Sequence, residues 1–430
     1  MLNEQTRTSE LKRLRDQHVP RGVSNSHPIF LVRGEGARLW DVDGNEYIDF
    51  VGGIGVLNVG HNHPRVVQAI KAQLEQLTHA CFQVGMYEPY VRLAERLNGI
   101  MPGQGPHKTI FFTTGAEATE NAVKIARAAT NRPAIVAFRN SFHGRTLMGM
   151  SLTGKASPYK QNFGPFAPEI YHAPFPYEYR DWSVERALDG LHDLFAMQVS
   201  PERVAAVIIE PVLGEGGFVP APPDFLHELR RITEQHGILF IADEIQSGFG
   251  RTGRMYAIEH SGITPDMVTF AKSVAGGVPL SGVTGHAEIM DAPAPGGLGG
   301  TFAGNPLACA AGLAVFEIFD EENLLQRGQE LAQGLLTAFQ GFQKQYPQIG
   351  DVRGIGPMIG LEFVKDPATK EPAPEVVNQI IEQARQEGLL LLKAGLYNNV
   401  IRVLVPLVAT PRDLEEALSA LEKSLAAVLH

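Results

Sequence analysis

The chain has 430 residues, of which 44% are hydrophobic and 20% charged, and its formal net charge is −10. This composition is typical of a globular protein with two or three domains, and an acidic surface disfavours nucleic acid and anionic membranes as partners. Two cysteines do not make a disulfide framework, and no run approaches the roughly 20 apolar residues of a membrane helix. The polar segment 1–15 lacks the apolar core of a signal peptide, so we predict a soluble cytoplasmic protein.

Short apolar runs alternate with helical segments through most of the chain. A small strand unit is predicted over residues 29–50, and a glycine-rich loop, Gly52–Gly55, follows it. Further strands are predicted at 109–113, 133–138, 204–209, 238–242 and 267–271, and helices at 117–129 and 223–236. This alternation favours a mostly parallel sheet that is covered by helices on both faces.

The last hundred residues have a different pattern. Strands are predicted at 358–364 and 400–405, and helices at 374–387 and 411–429. A helix over 306–319 would bridge the two parts. The pattern indicates a second, smaller α+β domain, with a boundary near residue 320.

Three chemically active features follow predicted strands, where a parallel α/β sheet places its ligands. Thr114–Glu117 joins a strand to a helix, and the free N–H groups of a helix start suit a phosphate, although a plain turn explains the segment as well. Asp243 needs a partner such as a protonated ring nitrogen, unless it caps the next turn. Lys272 is either a desolvated nucleophilic amine or a lysine reaching solvent at a sheet edge. Together the three suit one cofactor, a phosphorylated pyridine aldehyde.

Other chemistries are disfavoured. Gly248–Gly253 matches G-x-G-x-x-G, but Gln246 and Ser247 separate it from the strand and no strand-terminal acid follows at the expected distance. The 14 histidines form no H-x-x-x-H motif and the chain has no C-x-x-C, so no metal site is predicted. Ser151 and Ser281 lack the G-x-S-x-G context of a nucleophilic serine.

Several distinctive blocks are spread over nearly the whole chain: 114–118, 142–146, 209–211, 241–253 with 270–272, and 301–306. They resemble the class III (subgroup II) aminotransferases, which are fold-type I pyridoxal-phosphate enzymes. Within that family, the discriminating blocks resemble bacterial members acting on 4-aminobutyrate: 52–58, 214–218, 294–300 and 400–407. The implied fold is a large domain at 61–320 with a mostly parallel mixed sheet, and a smaller α+β domain from the chain ends at 1–60 and 321–430.

The resemblance implies roles at the cofactor. Lys272 would hold pyridoxal 5'-phosphate as an imine and shuttle a proton after substrate displaces it, and Asp243 would keep the pyridinium nitrogen protonated. The Gly115 and Ala116 amides would bind the phosphate, and Thr301 of the neighbouring subunit would complete that site. The other implied cofactor-site residues are Phe142 and Ile245 on the two ring faces, Gln246 at the ring hydroxyl, Glu210 beside the site, and His143, which packs or makes a hydrogen bond.

The resemblance also implies how substrates are selected. Arg145 would bind the distal carboxylate of either substrate and Arg402 the α-carboxylate of glutamate or 2-oxoglutarate, because the arginine fork binds carboxylates bidentately. Glu215 would neutralise Arg402 while 4-aminobutyrate is bound and would swing away for the diacid; a surface glutamate in a glycine-rich turn is the alternative. Ile54 belongs to the same substrate-binding group.

The implied reaction is a ping-pong transamination in which 4-aminobutyrate and 2-oxoglutarate give succinate semialdehyde and glutamate. The alternatives are aminotransfer from 5-aminovalerate, β-alanine, ornithine, acetylornithine or a diamine, and a pyridoxal-phosphate-dependent aminomutase or racemase. A DNA-binding regulator is disfavoured because the chain is acidic and no helix-turn-helix precedes the strand unit. The predicted partners are small amino and oxo acids, and the predicted assembly is a homodimer or a dimer of dimers.

Overall fold

The computed structural model describes residues 6–429. Residues 1–5 and His430, which the predicted segments 1–15, 1–60 and 321–430 include, lie outside the described residues. The strands are β1 Leu31–Glu35, β2 Arg38–Asp41, β3 Glu46–Asp49, β4 His107–Phe112, β5 Ala134–Phe138, β6 Ile170–Ala173, β7 Val204–Ile209, β8 Val212–Leu213, β9 Val219–Pro220, β10 Leu239–Asp243, β11 Met267–Phe270, β12 Ser281–His286, β13 Ile349–Ile355, β14 Met358–Phe363, β15 Leu389–Leu390, β16 Leu392–Ala394 and β17 Val400–Val403. The helices are α1 Arg7–His18, α2 Gly52–Gly55, α3 Pro64–Gln76, α4 Glu88–Ile100, α5 Gly115–Thr130, α6 Leu147–Leu152, α7 Val184–Met197, α8 Pro223–His236, α9 Ala287–Met290, α10 Pro306–Glu321, α11 Leu324–Gln345, α12 Pro374–Gln386 and α13 Pro411–Leu429.

A seven-stranded mixed sheet forms the centre of the fold, in the order β4-β12-β11-β10-β7-β5-β6. β10 runs parallel to β7 and β11, and β5 runs parallel to β6 and β7. β5 and β7 are buried along their whole length, as expected for strands covered on both faces. The predicted mostly parallel sheet is therefore confirmed.

β12 is the exception, because it is antiparallel to both of its neighbours. The sequence pattern does not predict this strand, since two glycines interrupt its apolar residues. A Cβ added to Gly282 would lie 2.4 Å from the carbonyl oxygen of Ile110 and 2.4 Å from the Phe270 ring. Glycine is therefore required by close packing in the sheet rather than by a turn.

The helices on the sheet begin and end at recognisable residues. α5 starts with a capping box, in which the Thr114 side chain accepts from the Glu117 amide and the Glu117 carboxylate accepts from the Thr114 amide. α8 ends at Gly237, whose φ of 60° is left-handed backbone that glycine adopts without strain. The buried face of α5 carries alanines at a spacing of four residues: Ala118, Ala122 and Ala126.

Two four-stranded sheets lie outside the central one. In the sheet β1-β2-β3-β15, strand β15 pairs in parallel with β3, so segments from opposite ends of the chain share one sheet. The sheet β13-β14-β17-β16 is antiparallel throughout. The division of the chain into 1–60, 61–320 and 321–430 stays a prediction.

A few local expectations differ from the structure. The glycine-rich segment predicted as a loop forms α2, a single turn in which Gly53 has a φ of 61° and Ile54 a φ of 68°. The first strand begins at Leu31, two residues after the predicted start. α10 continues to Glu321, past the predicted end at residue 319 and across the expected boundary near 320. Within residues 6–429, no helix is both long and apolar enough to cross a membrane.

Candidate active site

A cavity of about 380 Å³ lies beyond the carboxyl ends of β10 and β11. Asp243 is the last residue of β10, and Lys272 follows β11 after one residue. The predicted site residues that line this cavity are Gly115, Ala116, Phe142, His143, Glu210, Glu215, Asp243, Ile245, Gln246 and Lys272. The site therefore lies where a parallel sheet is expected to bind its ligands.

Asp243 is buried and held by three hydrogen bonds. Its Oδ2 lies 2.6 Å from His143 Nδ1, and its Oδ1 accepts from Thr269 Oγ1 at 3.0 Å and from the Ile245 amide at 3.2 Å. Desolvation lowers the pKa of His143, but the hydrogen bond and the charge of Asp243 outweigh it, so the net pKa of the imidazole is raised. The pair fixes the Asp243 side chain where it lines the cavity. His143 makes the expected hydrogen bond, and Asp243 also accepts from the following turn, while its predicted role at a ring nitrogen stays a prediction.

Lys272 is the amine of the cavity. Its backbone has a φ of 47°, a left-handed conformation that non-glycine residues adopt with strain. Burial lowers the pKa of its side chain, and Arg402 lowers it further, against the opposing charges of Glu215, Glu210 and Asp243. A lowered pKa increases the fraction of neutral amine, which is the form that attacks carbonyl carbons.

The start of α5 borders the same cavity. Gly115 and Ala116 are its first two residues, and N–H groups in a first helical turn have no partner within the helix. A Cβ on Gly115 would lie 3.1 Å from Ile245 Cδ1, and a Cβ on Gly144 would lie 2.7 Å from Ala116 Cβ. Gly115, Ala116 and Gly144 all line the cavity, and a larger side chain at 115 or 144 would collide with its neighbours there.

Glu210 and Gln246 supply further polar groups. The Glu210 carboxylate accepts from the Phe142 amide at 2.7 Å and from the Gly214 amide at 2.9 Å, and desolvation raises its pKa to about 7. The Gln246 Oε1 atom is buried and has no hydrogen-bond partner among residues 6–429. An unpaired buried acceptor is costly and indicates that a donor from a ligand belongs there.

These groups fit pyridoxal phosphate. The anion site at α5, the Asp243 carboxylate, the Lys272 amine and the unpaired Gln246 oxygen match the phosphate, ring nitrogen, aldehyde and ring hydroxyl of that cofactor. In the part of the chain that the structure describes, no group of three or more histidine, cysteine, aspartate or glutamate residues is arranged to hold a metal ion.

Glu215, which lines the cavity and is part-buried, forms an ion pair with the buried Arg402. Glu215 Oε1 contacts Arg402 Nη1, and the two side chains are 17% and 4% exposed. Burial alone would raise the pKa of Glu215, but the charge and hydrogen bond of Arg402 outweigh it and lower that pKa. The structure thus joins two residues that are far apart in the chain, and Glu215 is not an exposed turn residue.

Four predicted site residues lie outside the cavity lining: Arg402, which pairs with the lining residue Glu215, and Ile54, Arg145 and Thr301. Ile54 is 41% exposed, and Arg145 and Thr301 are also exposed. The Arg145 guanidinium lies 5.2 Å from the ring centroid of Tyr159. The roles assigned to these four residues, including the contribution of Thr301 to a neighbouring subunit, stay predictions.

Sequence reasoning missed two polar residues next to the site. The Tyr159 hydroxyl donates to Glu215 Oε2 at 3.0 Å. Lys155 Nζ, which is buried, donates to the Gly395 carbonyl at 2.8 Å and to Asn398 Oδ1 at 3.1 Å. Both lie between α6 and β6, where no helical or strand pattern assigns a position. Four further lining residues lie in predicted segments but have no predicted role: Val56, Thr113, Gly144 and Ala271. The remaining lining residues have no sequence signal: Gly277, Val278, Pro279 and Leu280.

Comparison with known proteins gives consistent matches over the whole chain. The family model described as aminotransferase class-III matches residues 19–425. The chain is 49% identical to the 4-aminobutyrate aminotransferase of Escherichia coli over 414 residues, covering 96% of this chain and 97% of that protein. It is 51% identical to the 5-aminovalerate aminotransferase of Pseudomonas putida over 410 residues, covering 95% and 96%. Among solved structures, a Bacillus anthracis aminotransferase matches with a TM-score of 0.92 at 29% identity over 100% of both chains.

Proposed function

Because the chain belongs to the class III aminotransferases, which depend on pyridoxal phosphate, we propose that it transfers the amino group of 4-aminobutyrate to 2-oxoglutarate. The products would be succinate semialdehyde and glutamate. The observation that carries this proposal is the Glu215–Arg402 ion pair, whose glutamate lines the cavity that contains Lys272. Glutamate has a carboxylate beside its reacting amine and an ω-amino acid has none, so one enzyme needs a cation there that is available for one substrate and neutralised for the other.

Pyridoxal phosphate, when bound, supplies a carbon that is electrophilic towards amines and a ring that accepts electrons. Lys272 Nζ would hold the cofactor and, once substrate has displaced it, carry the proton that leaves the substrate carbon. Its lowered pKa favours both roles because the neutral amine is the reactive form. Asp243, oriented by His143 at 2.6 Å, would keep a proton on the ring nitrogen.

The other cavity residues would bind and orient. The amides of Gly115 and Ala116 would hold the phosphate, and Thr301 of a neighbouring subunit would complete that site, which makes a homodimer part of the proposal. Phe142 and Ile245 would lie against the two ring faces, since both line the cavity and neither brings a charge. Gln246 Oε1 would accept a hydrogen bond from the ring hydroxyl of the cofactor. Glu210 would fix the Phe142 backbone, whose amide donates to its carboxylate at 2.7 Å.

Two arginines would recognise carboxylates. Arg145 would bind the distal carboxylate of each substrate, with Ile54 in the same substrate-binding group. Arg402 would bind the α-carboxylate of glutamate and 2-oxoglutarate after Glu215 has moved away. With 4-aminobutyrate bound, Glu215 would remain paired with Arg402, and no unpaired cation would face the amine-bearing carbon, which carries hydrogen where glutamate carries its α-carboxylate.

5-Aminovalerate is the second candidate substrate, because the chain is 51% identical to the Pseudomonas putida 5-aminovalerate aminotransferase. The two amino acids differ by one methylene group, which a binding pocket distinguishes by about 1–3 kcal/mol. An amino-donor panel decides between them: 4-aminobutyrate, 5-aminovalerate, β-alanine and ornithine, each with 2-oxoglutarate and with glutamate formation followed. We expect the highest kcat/KM for 4-aminobutyrate. A higher value for 5-aminovalerate would replace the substrate in this proposal.

The role of Lys272 is tested by Lys272→Ala. We expect loss of turnover together with loss of the absorbance of the covalently held cofactor, whereas Lys71→Ala, at an exposed lysine of α3, should change neither. Parallel double-reciprocal plots are expected because the amine is stored on the enzyme between substrates. Formation of the amine form of the cofactor without an oxo acid separates an aminotransferase from an aminomutase or racemase. Turnover that survives in Lys272→Ala would contradict the proposed role.

A further inference from the structure

Tyr159 holds the second oxygen of the Glu215 carboxylate. Its hydroxyl donates to Glu215 Oε2 at 3.0 Å, while Glu215 Oε1 is occupied by Arg402. Burial raises the pKa of Tyr159, and the neighbouring charge of Glu215 raises it further, so the phenol keeps its proton and remains a donor. The carboxylate is therefore bound on both sides in the paired state.

The backbone around Glu215 is fixed separately from its side chain. The Glu215 carbonyl accepts from the Gly395 amide at 3.0 Å. Two residues later, the Gly217 carbonyl accepts two hydrogen bonds from Arg353, at 3.0 Å and 2.6 Å. With its backbone held, Glu215 can move away from Arg402 only by rotation of its side chain, and that rotation also breaks or rearranges the bond to Tyr159.

The Tyr159 ring is held in place by its neighbours. Its centroid lies 4.9 Å from that of Phe142, with the two planes tilted by 59°. The Arg145 guanidinium lies 5.2 Å from the same ring. The ring thus contacts the residue proposed to bind the distal carboxylate, and the hydroxyl contacts the residue proposed to neutralise Arg402.

We propose that Tyr159 is a positioning residue that stabilises the Glu215–Arg402 pair and thereby sets the balance between ω-amino acids and dicarboxylates. This inference rests on the proposed function. A dicarboxylate must replace Glu215 at Arg402. The affinity of the enzyme for a dicarboxylate therefore changes only with interactions that differ between the state in which Glu215 is paired with Arg402 and the state in which they are separated. The Tyr159 hydroxyl belongs to the paired state, and its removal favours the separated state that a dicarboxylate requires.

The test is Tyr159→Phe, which keeps the ring and removes the hydroxyl. Glutarate is the binding probe, because it has two carboxylates and neither an amine nor a carbonyl that can react. Its Kd for the holoenzyme, measured by titration calorimetry, should fall about tenfold, equivalent to ~1.4 kcal/mol. In single-turnover experiments, kcat/KM should rise for the glutamate half-reaction and should not rise for the 4-aminobutyrate half-reaction.

Two comparisons separate this role from a general structural one. Tyr171→Phe is the matched control, because Tyr171 lies on strand β6 and its hydroxyl also donates to a glutamate, Glu169, at 3.3 Å. This variant should leave both half-reactions unchanged. In a Glu215→Gln background, Tyr159→Phe should have little further effect, because Tyr159 is inferred to act through Glu215. If Tyr159→Phe changed the glutarate Kd equally in the wild-type and Glu215→Gln backgrounds, Tyr159 would not act through Glu215.

The inference and the proposed function fail in different ways. If the wild-type enzyme transfers amino groups from ω-amino acids but Tyr159→Phe leaves the glutarate Kd unchanged, or weakens both half-reactions equally, the inference is wrong and the proposed function stands. If the wild-type enzyme uses no ω-amino acid with 2-oxoglutarate, the proposed function is wrong and the inference is lost with it. Opposite changes in the two half-reactions support both.

Discussion

The buried carboxyl of Glu244 should make the stability of the protein depend on pH. Glu244 is fully buried, accepts from the Ile258 amide at 2.7 Å and from the Ser247 hydroxyl, and does not line the cavity. Desolvation raises its pKa from 4.5 to about 7. In Glu244→Gln the amide oxygen can accept from Ile258 and the amide nitrogen can donate to Ser247, so both contacts remain and only the titration is removed.

The sign of the effect follows from where the proton is bound. Between pH 4.5 and 7, the folded protein keeps the Glu244 proton and the unfolded chain releases it, so the free energy of unfolding falls as pH rises. From pH 5 to 8 this group alone lowers the free energy of unfolding by about 2.5 kcal/mol. With an unfolding entropy of ~2.1 cal/mol/K per residue over 430 residues, the change in Tm is about 3 °C.

The assay is thermal unfolding of the two holoenzymes at pH 5, 6, 7 and 8. The Tm of Glu244→Gln minus that of the wild type should increase by about 3 °C across this range. Other titrating groups, including Glu210 with its pKa raised to about 7, act on both proteins equally and cancel in the difference. Glu415→Gln, at an exposed position of α13, should give no trend. Parallel curves for Glu244→Gln and wild type, or a difference that shrinks as pH rises, would refute the reasoning.

Two further substitutions test buried contacts around the site. The fully buried Arg251 donates to the Val405 carbonyl at 2.8 Å and to Asn58 Oδ1. Because a lysine has one nitrogen for both acceptors, Arg251→Lys should lower the free energy of unfolding by about 2–4 kcal/mol in denaturant titrations. An unchanged midpoint would show that these hydrogen bonds are replaceable. Gly144 has a φ of 124°, and an added Cβ would lie 2.7 Å from Ala116 Cβ, next to the proposed phosphate site. Gly144→Ala should therefore weaken the affinity of the apoenzyme for pyridoxal phosphate at least tenfold in absorbance titrations. Wild-type uptake in that variant would argue against the proposed phosphate site.

Local signals in the sequence account for much of the fold. α8 begins and ends where its proline and the following Gly237 predict, because both residues act through their own backbone conformation. Uninterrupted apolar runs identify β5, β7 and β10, since strands covered on both faces need apolar residues throughout. The elements that the sequence does not predict depend on contacts with distant residues. Strand β12 contains glycine because Phe270 and Ile110 approach it closely. Ile54 adopts a left-handed backbone in α2, which no local sequence rule predicts.

The site divides in the same way. Asp243, Lys272 and Gly115 each follow a predicted strand, so the sequence alone predicts that they share one edge of the sheet. The structure places all three around one cavity. Tyr159 and Lys155 lie in a segment without a repeating pattern, and their importance depends on contacts with Glu215 and Gly395 that no local rule predicts.

This division bears on substrate choice. The residues proposed to hold the cofactor come from strand ends and one helix start, whereas those proposed to select substrate come from segments joined only by tertiary contacts, as in the pairing of Glu215 with Arg402 on β17. Relatives of 49% and 51% identity carry the names of two different ω-amino acids, so overall similarity does not separate the two substrates. Substrates that differ by one methylene group require the same chemical groups at both ends and a different distance between them. In the proposed binding mode, that distance is set by the segments carrying Arg145 and Tyr159, and variants of their contact should change donor preference without changing the cofactor chemistry.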